Sequence, residues 1–382
     1  MFRSFWQGGF EGSTHRRSDM VQLDTIGATG HDVFAETDYR MLRQCGVATA
    51  RDALRWHLIE TAPGRYDWSS FLPMLQASRR AGVQVIWDLC HYGLPPDIDI
   101  WSAELVDRFG AFARAVARLV REQGDEAPVW SVMNEISFWS WGGGDCGLLF
   151  PSTLDRGPEL KRQLVRAAIA ATEACLDVDR RARFVQAEPL INIVHDLYKP
   201  EDREPAEAYR LALYQAWDML SGRLEPELGG KPDYLDVVGI NFYWDNQWIH
   251  NKYTIGLGHR QFVPFHELLR EVWERYRRPL LIAETGSENG NGPGWLSYMG
   301  GEVRRALRAG IPIEGVCLYP VMDYPGWNDG RHCRTGLIEL DEAYRERRLD
   351  HELLRTLEDE MFLLGSRLGR EAPAQPMPLA AD

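Results

Sequence analysis

Short apolar runs and longer amphipathic stretches alternate eight times along this chain. The apolar runs read as buried strands over roughly 4–10, 47–56, 82–90, 128–134, 182–188, 234–243, 279–284 and 313–320. Helical periodicity fills 36–44, 69–81, 103–123, 158–177, 204–222, 264–276, 295–309 and 349–365. In 103–123, for example, Leu105, Phe109, Phe112, Val116 and Leu119 recur at helical spacing, with arginine and aspartate between them. Gly46, Gly82 and Gly310 each follow a helical stretch and precede a strand, where a helix C-cap belongs. Eight strand–helix units predict an α/β fold, a (β/α)8 TIM barrel, in a single domain over residues 1–366. A doubly wound open sheet is the alternative. It would place a glycine-rich nucleotide loop after the first strand, and Gly8-Gly9-Phe-Glu-Gly12 is a loose match to that. Residues 367–382, with Gly369-Arg-Glu-Ala-Pro-Ala-Gln-Pro-Met-Pro, read as a disordered tail.

The 382 residues are 45% hydrophobic and 26% charged, enough for a sizeable core. With 43 basic against 56 acidic residues the net charge is −13, which disfavours nucleic acid or an anionic membrane surface as partner. There is no 18-residue apolar run and no charged-then-apolar leader at the N-terminus, so neither a transmembrane helix nor a signal peptide is expected. The six cysteines form no CxxC pair, which argues against a zinc or redox motif; Cys90 and Cys317 fall in apolar runs as core thiols. A reducing cytoplasm is the expected location. Oligomeric state is left open.

Chemistry gathers at the strand ends. Glu135 closes Ala127-Pro-Val-Trp-Ser-Val-Met-Asn134-Glu135, and Glu284 closes Pro279-Leu-Leu-Ile-Ala-Glu284-Thr-Gly. A carboxylate is costly inside a strand but well placed at its C-terminal end, where a barrel opens to substrate. Arg51-Asp52, Asp88-Leu-Cys-His91-Tyr92, Asn241-Phe-Tyr243 and Tyr319-Pro-Val-Met-Asp323 add polarity at the same level. Long loops at 136–157 and 244–263 carry Trp139, Trp141, Trp244, Trp248, His250 and His259. Indole faces stack on the C–H faces of sugars, so this cluster suggests a carbohydrate substrate. Two carboxylates across such a cleft can cleave a glycosidic bond: one neutral acid protonates the leaving oxygen and one carboxylate attacks the anomeric carbon. Arg51 and Tyr243 suit the ionised partner, Glu284, which leaves Glu135 as the acid beside Asn134. His15 and His91 lack a two-histidine helical spacing, and neither metal nor cofactor is required.

These residues resemble clan A of the glycoside hydrolases, and within it family 1, the β-glucosidase-like enzymes. The resemblance spans roughly residues 2–340. Phe5-Trp-Gln-Gly8 resembles that family's first-strand Phe-x-x-Gly. Arg51, five residues before Trp56, resembles its strand-2 arginine, and His91-Tyr92-Gly-Leu-Pro95 its His-Trp-Asp-Leu-Pro. Asn134-Glu135 matches the Asn-Glu of the acid/base. Gly239-Ile-Asn241-Phe-Tyr243 is similar to Gly-Ile-Asn-Tyr-Tyr, whose last tyrosine touches the nucleophile. Ile282-Ala-Glu284-Thr-Gly stands where the family has Ile-Thr-Glu-Asn-Gly, which puts Glu284 at the nucleophile position. Tyr319 falls at the tryptophan platform under the sugar, with Asp323 and Trp327 at matching spacing, and Arg334-Thr-Gly-Leu-Ile resembles the segment that follows. The resemblance implies retaining hydrolysis through a glycosyl-enzyme. It also implies substrate contacts at His15, His91, Asn241, Trp244, Tyr319 and Trp327.

Two departures stand out. The family's first-strand glutamine falls at His15, and its strand-8 glutamate at Gly326. The expected sugar is therefore deoxy, furanose, substituted or uronic rather than plain glucose or galactose. Arg16 and Arg17 are candidates to meet a carboxylate or phosphate on it, or else are surface charges. A transglycosidase using the same glutamates, a non-catalytic carbohydrate-binding barrel and an unrelated metal-dependent barrel hydrolase are the competing functions.

Overall fold

The computed structural model describes residues 1–368. Of the tail expected at 367–382, residues 369–382 lie outside the described residues, and 367 and 368 end the last helix. Eight strands form a closed parallel barrel: β1 (Trp6–Gly9), β2 (Thr49–Ala53), β3 (Gln84–Asp88), β4 (Val129–Ser131), β5 (Arg183–Pro189), β6 (Val237–Asn241), β7 (Leu280–Thr285) and β8 (Ile313–Leu318). They neighbour one another in chain order, and β1 closes on β8 through Trp6↔Val316 and Gly8↔Leu318. The helices outside are α1 (His31–Gln44), α2 (Leu72–Ala81), α3 (Ala103–Gln123), α4 (Gly157–Val178), α5 (Arg203–Leu211), α6 (Phe265–Tyr276), α7 (Gly292–Arg308) and α8 (His351–Leu368). The stretch expected as one helix over 204–222 is broken by a 3₁₀ turn at Ala212–Tyr214 and resumes as Gln215–Leu220.

Two apolar layers hold this arrangement. Ile86, Val129, Val185, Ala187, Val237, Leu281 and Ala283 fill the barrel interior. The larger layer lies between strands and helices, where Trp130, Phe109, Phe112, Leu164 and Ile282 are fully buried. Each such side chain contributes about 2–3 kcal/mol on burial. Helix α3 shows how the pattern works: Ser102 caps it by accepting from Glu104 N at 3.2 Å, and Leu105, Phe109, Phe112 and Val116 form its buried stripe. Gly46 and Gly82 take the left-handed conformation after α1 and α2, at φ 78° and 69°. All six cysteines are free thiols. Among the described residues no helix is long and apolar enough to cross a membrane, and no cluster of three histidine, cysteine or acidic side chains is arranged to hold a metal.

Loops after the strands build the mouth. Strand β4 is shorter than its apolar run predicts and ends at Ser131, so Asn134 and Glu135 lie past the ladder. Their backbone N–H groups still bond across the barrel rim, to Cys90 O at 3.0 Å and Ala187 O at 2.9 Å. The loop over 136–157 is partly helical, with a turn at Ile136–Trp139 and a wide π-type turn at Ser140–Asp145. Within it Trp139 is 1% exposed and its Nε1 donates to Phe150 O at 2.7 Å, so this tryptophan packs the loop rather than offering a face to sugar, contrary to the expectation for the loop cluster. After β6, Gln247–Ile249 pairs in parallel with Asn192–Val194, which folds the loops of β5 and β6 together.

Candidate active site

Glu284 is 4% exposed and lies at a register break in β7: Ile282 faces Ile240, yet Glu284 faces Asn241. Two residues of one strand against one of the next is a bulge, which re-aims the following side chain. The carboxylate so placed accepts from Arg51 Nη1 at 2.7 Å on Oε1 and from Tyr243 Oη at 2.8 Å on Oε2. Arg51 is 1% exposed and fully committed. Its Nε and Nη2 grip Asp88 at 2.9 and 2.8 Å, and Nη2 also donates to Asn134 Oδ1 at 2.7 Å. A buried guanidinium between two carboxylates needs all these partners to offset its desolvation.

Glu135 is held differently. It has left-handed backbone angles, φ 45° and ψ 62°, which cost a non-glycine residue about 1 kcal/mol or more. Its Oε2 accepts from Tyr92 Oη and its Oε1 from Asn241 Nδ2 at 2.8 Å. No cation touches it among the described residues. Tyr92 is itself left-handed, at φ 65°, and buried. Two strained residues meeting through one hydrogen bond mark a place where geometry is held by side chains rather than by the ladder.

Asn134 links the two halves. Its Oδ1 is spent on Arg51, so its amide nitrogen faces His91 Nε2 at 3.0 Å and Tyr92 Oη at 2.9 Å. His91 Nε2 therefore accepts, and Nδ1 carries the proton toward Asp88 Oδ2 at 2.9 Å. Both ring nitrogens of His91 are thus used inside the protein, and its ring lies parallel to Tyr319 with centroids 6.1 Å apart.

At the other end of the mouth His15 is 3% exposed and stands edge-on to Trp327, centroids 4.8 Å apart, and to Tyr92 at 6.1 Å. His15 Nδ1, Trp327 Nε1 and Asn241 Oδ1 are sealed from water without a hydrogen-bond partner. Burial, aided by His91 and Arg17, lowers the His15 pKa to about 4, so the ring is neutral. Tyr319 is 2% exposed. Its Oη accepts from Gly12 N at 3.2 Å and its ring packs so closely on Gly9 that a Cβ there would lie 2.2 Å away. Arg16 stacks on Phe150 at 4.0 Å, and Arg17 pairs with Asp19 and with the carbonyls of Trp327 and Asn328. Arg17 is committed to these partners, whereas Arg16 has no ion pair among the described residues. Asp323 orders the strand-8 loop by accepting from the backbone of Thr335, Gly336 and Leu340.

Burial pushes both glutamates up from the ordinary carboxylate range. Glu284 reaches about 7, where Arg51 opposes the rise and Glu135 adds to it. Glu135 is raised by burial against the hydrogen bonds of Tyr92 and Asn241, with Glu188 adding repulsion. The two titrate as a pair. Among the described residues only Glu284 is ion-paired with an arginine, Arg51, and that pairing favours its charged form.

Trp244 is 55% exposed and lines a cavity of about 800 Å³ beside the mouth, together with Glu288, Asn289, Trp295, Tyr298 and Arg331. Neither glutamate of the pair lines it. Trp295 anchors it by donating to Thr285 Oγ1 at 2.8 Å. Three site residues were given no role in the sequence reading: Tyr92, Asp88 and Glu188. Tyr92 and Asp88 sit in the strand-3 motif with His91, and their place there was the available signal. Glu188 ends the β5 run, is 1% exposed and accepts from Ser137 N at 2.9 Å.

No family model matches the chain. It is similar to a β-galactosidase of Sulfolobus acidocaldarius, 22% identical over 327 residues, an alignment that covers 72% of this chain and 65% of that protein, just under two thirds of its length. Its fold matches a family 1 β-glucosidase from Thermotoga maritima, with a TM-score of 0.74 at 16% identity over 93% of this chain and 96% of the other. The β-glycosidase of Thermosphaera aggregans matches with a TM-score of 0.71 at 18% identity, covering 87% and 85%.

Proposed function

We propose that this divergent relative of the family 1 glycosidases of clan A is a retaining glycoside hydrolase. It removes a terminal sugar from a small glycoside or oligosaccharide in two displacements. The observation that carries this reading is the unlike company of two carboxylates at one mouth. Glu284 holds a cation and a phenol, through Arg51 and Tyr243, while Glu135 holds only neutral donors, Tyr92 and Asn241. The pair divides the labour that glycoside cleavage needs.

In the first step Glu284 attacks the anomeric carbon, the glycosidic C–O bond breaks, and Glu135 gives its proton to the departing oxygen. In the second, Glu135, now ionised, takes a proton from water, whose oxygen displaces Glu284 from the sugar. Arg51 stabilises Glu284 as nucleophile and again as leaving group, and Asn134 fixes the position of Arg51. Gly326 and His15 support a glycone other than one gripped as glucose is in family 1. The engagement of Arg17 with Asp19 weighs against its serving a uronic or phosphorylated one.

The test is the product formed first. A panel of aryl glycosides that includes furanosides and deoxy sugars, followed by proton NMR, should release the sugar with its original anomeric configuration. First release of the opposite anomer would overturn the retaining assignment.

A further inference from the structure

We propose that Glu11 is a substrate-binding residue, a carboxylate from the first strand that accepts hydroxyl protons of a neutral sugar in place of the strand-8 carboxylate absent at Gly326. The proposal rests on the glycosidase reading for the identity of the ligand. Glu11 lies two residues past β1, in a segment pinned to the catalytic wall from both sides. Phe10 N donates to Arg51 O at 3.0 Å, and Gly12 N donates to Tyr319 Oη at 3.2 Å. The chain passes so close to His91 that a Cβ on Gly12 would lie 3.3 Å from its Nδ1.

The carboxylate is 8% exposed, and it is half used. Ser13 donates to Oε1 from both its backbone nitrogen, at 3.1 Å, and its hydroxyl. Oε2 has no hydrogen-bond partner, and no arginine, lysine or histidine forms an ion pair with Glu11, among the described residues. Oε2 is not sealed from solvent, so this unpaired carboxylate oxygen is open to a hydroxyl from outside the protein. A role as loop brace is already served by Oε1. The charge of Glu11 is felt at Glu284, His91, Tyr92, Tyr319 and Tyr324, which sets it at the mouth beside strand β8.

Gly326 shows why the acceptor comes from elsewhere. A Cβ there would meet Asp329 Oδ1 at 2.7 Å and both Arg331 Cγ and Cys333 Sγ at 3.3 Å, so a side chain at that position would be directed at its own loop. With Glu284 and Glu135 also present and Arg51 saturated, the mouth favours O–H donors and repels anions. The ligand this selects is an uncharged, hydroxylated sugar.

Glu11→Gln keeps an acceptor for Ser13 and removes the charge. On the best aryl glycoside of the panel it should lower kcat/KM by about 10–100-fold, the loss expected for a hydrogen bond to a charged group. Deoxygenating the sugar at one position should cost wild type a similar factor and cost Glu11→Gln no more than about twofold, because the two changes remove the same contact. Equal deoxygenation costs in both proteins at every position would overturn the proposal, as would a thermal midpoint lowered enough to explain the loss. Saturation-transfer NMR with free neutral monosaccharides gives a readout that needs no turnover. Binding by wild type that Glu11→Gln weakens, without hydrolysis of any glycoside, would sink the glycosidase reading and leave Glu11 assigned. Binding unaffected by Glu11→Gln, or none at all, would sink this inference.

Discussion

The hydroxyl of Tyr92 is bonded to Glu135: it donates to Oε2 of the carboxylate and at the same time accepts from Asn134 Nδ2 at 2.9 Å. One phenol thereby spans both members of the Asn-Glu pair and connects Glu135 to the network that runs through Arg51 to Glu284. The bond favours the ionised form of Glu135, the form needed as base in the second step, and so restrains a pKa that burial raises.

Tyr92→Phe should therefore move the basic limb of the kcat/KM profile to higher pH, since the acid loses a donor to its charged form. It should also lower kcat, by less than the roughly 10²-fold or more that a general acid–base group contributes outright. The pH–rate profile of the variant checks both. A basic limb that stays where wild type has it would mean that Tyr92 does not touch the titrating group.

Glu284→Ala removes the proposed nucleophile and should lower kcat by about 10³-fold or more, the scale for loss of a covalent catalyst. Azide should restore part of the activity and give a glycosyl azide of inverted configuration. Glu135→Ala should spare aryl glycosides with acidic leaving groups, which need no proton, and slow those with poor ones. A Brønsted plot over leaving-group pKa separates the two. Equal losses across the series would remove Glu135 from the acid role.

Much of this was legible in the sequence, and particular residues show why. Strands buried on both faces read as continuous apolar runs, so Val129–Ser131 and Leu280–Thr285 stood out, and a carboxylate at the end of such a run has few bland explanations. Arg51 and Tyr243 were legible for the same reason, and both meet Glu284. Tyr92 and Glu11 were not. Their parts depend on a left-handed backbone at Tyr92 and on the path of the chain after β1, which are three-dimensional facts. Trp139 misled because surface and core indoles look alike in a loop of small residues. Arg17 was ambiguous in the sequence because its partner, Asp19, is a matter of loop geometry.

Tyr243→Phe probes the other carboxylate. The lost donor stabilised ionised Glu284, so its pKa should climb above the present value of about 7. The acidic limb of kcat/KM should shift upward, and a rise of one pKa unit would cost the variant about fivefold more activity at pH 6 than at pH 8. Rates at the two pH values suffice as the check. Parallel losses at both would show that Tyr243 positions the sugar instead of tuning the nucleophile.

Glu188→Gln tests the buried carboxyl behind the acid. Burial pushes Glu188 up to about 7, against the donor at Ser137 N, so the folded protein binds a proton more tightly than the unfolded chain, whose ordinary value is near 4.5. Its stabilisation is fully present below the unfolded pKa and is lost as pH rises through the folded one. A shift of this size corresponds to up to about 3 kcal/mol across that window. Urea melts should show wild type losing stability between pH 5 and pH 8, and Glu188→Gln, which cannot ionise, losing less. Glu284 contributes to the same window, so the slope should shrink without vanishing. The variant carries a second signature. Ionised Glu188 raises the pKa of Glu135, so its removal should move the basic limb of the rate profile to lower pH, opposite to Tyr92→Phe. Opposed shifts from two neighbours of one carboxyl would identify Glu135 as the group that titrates there; shifts of the same sign would place that pKa on another residue.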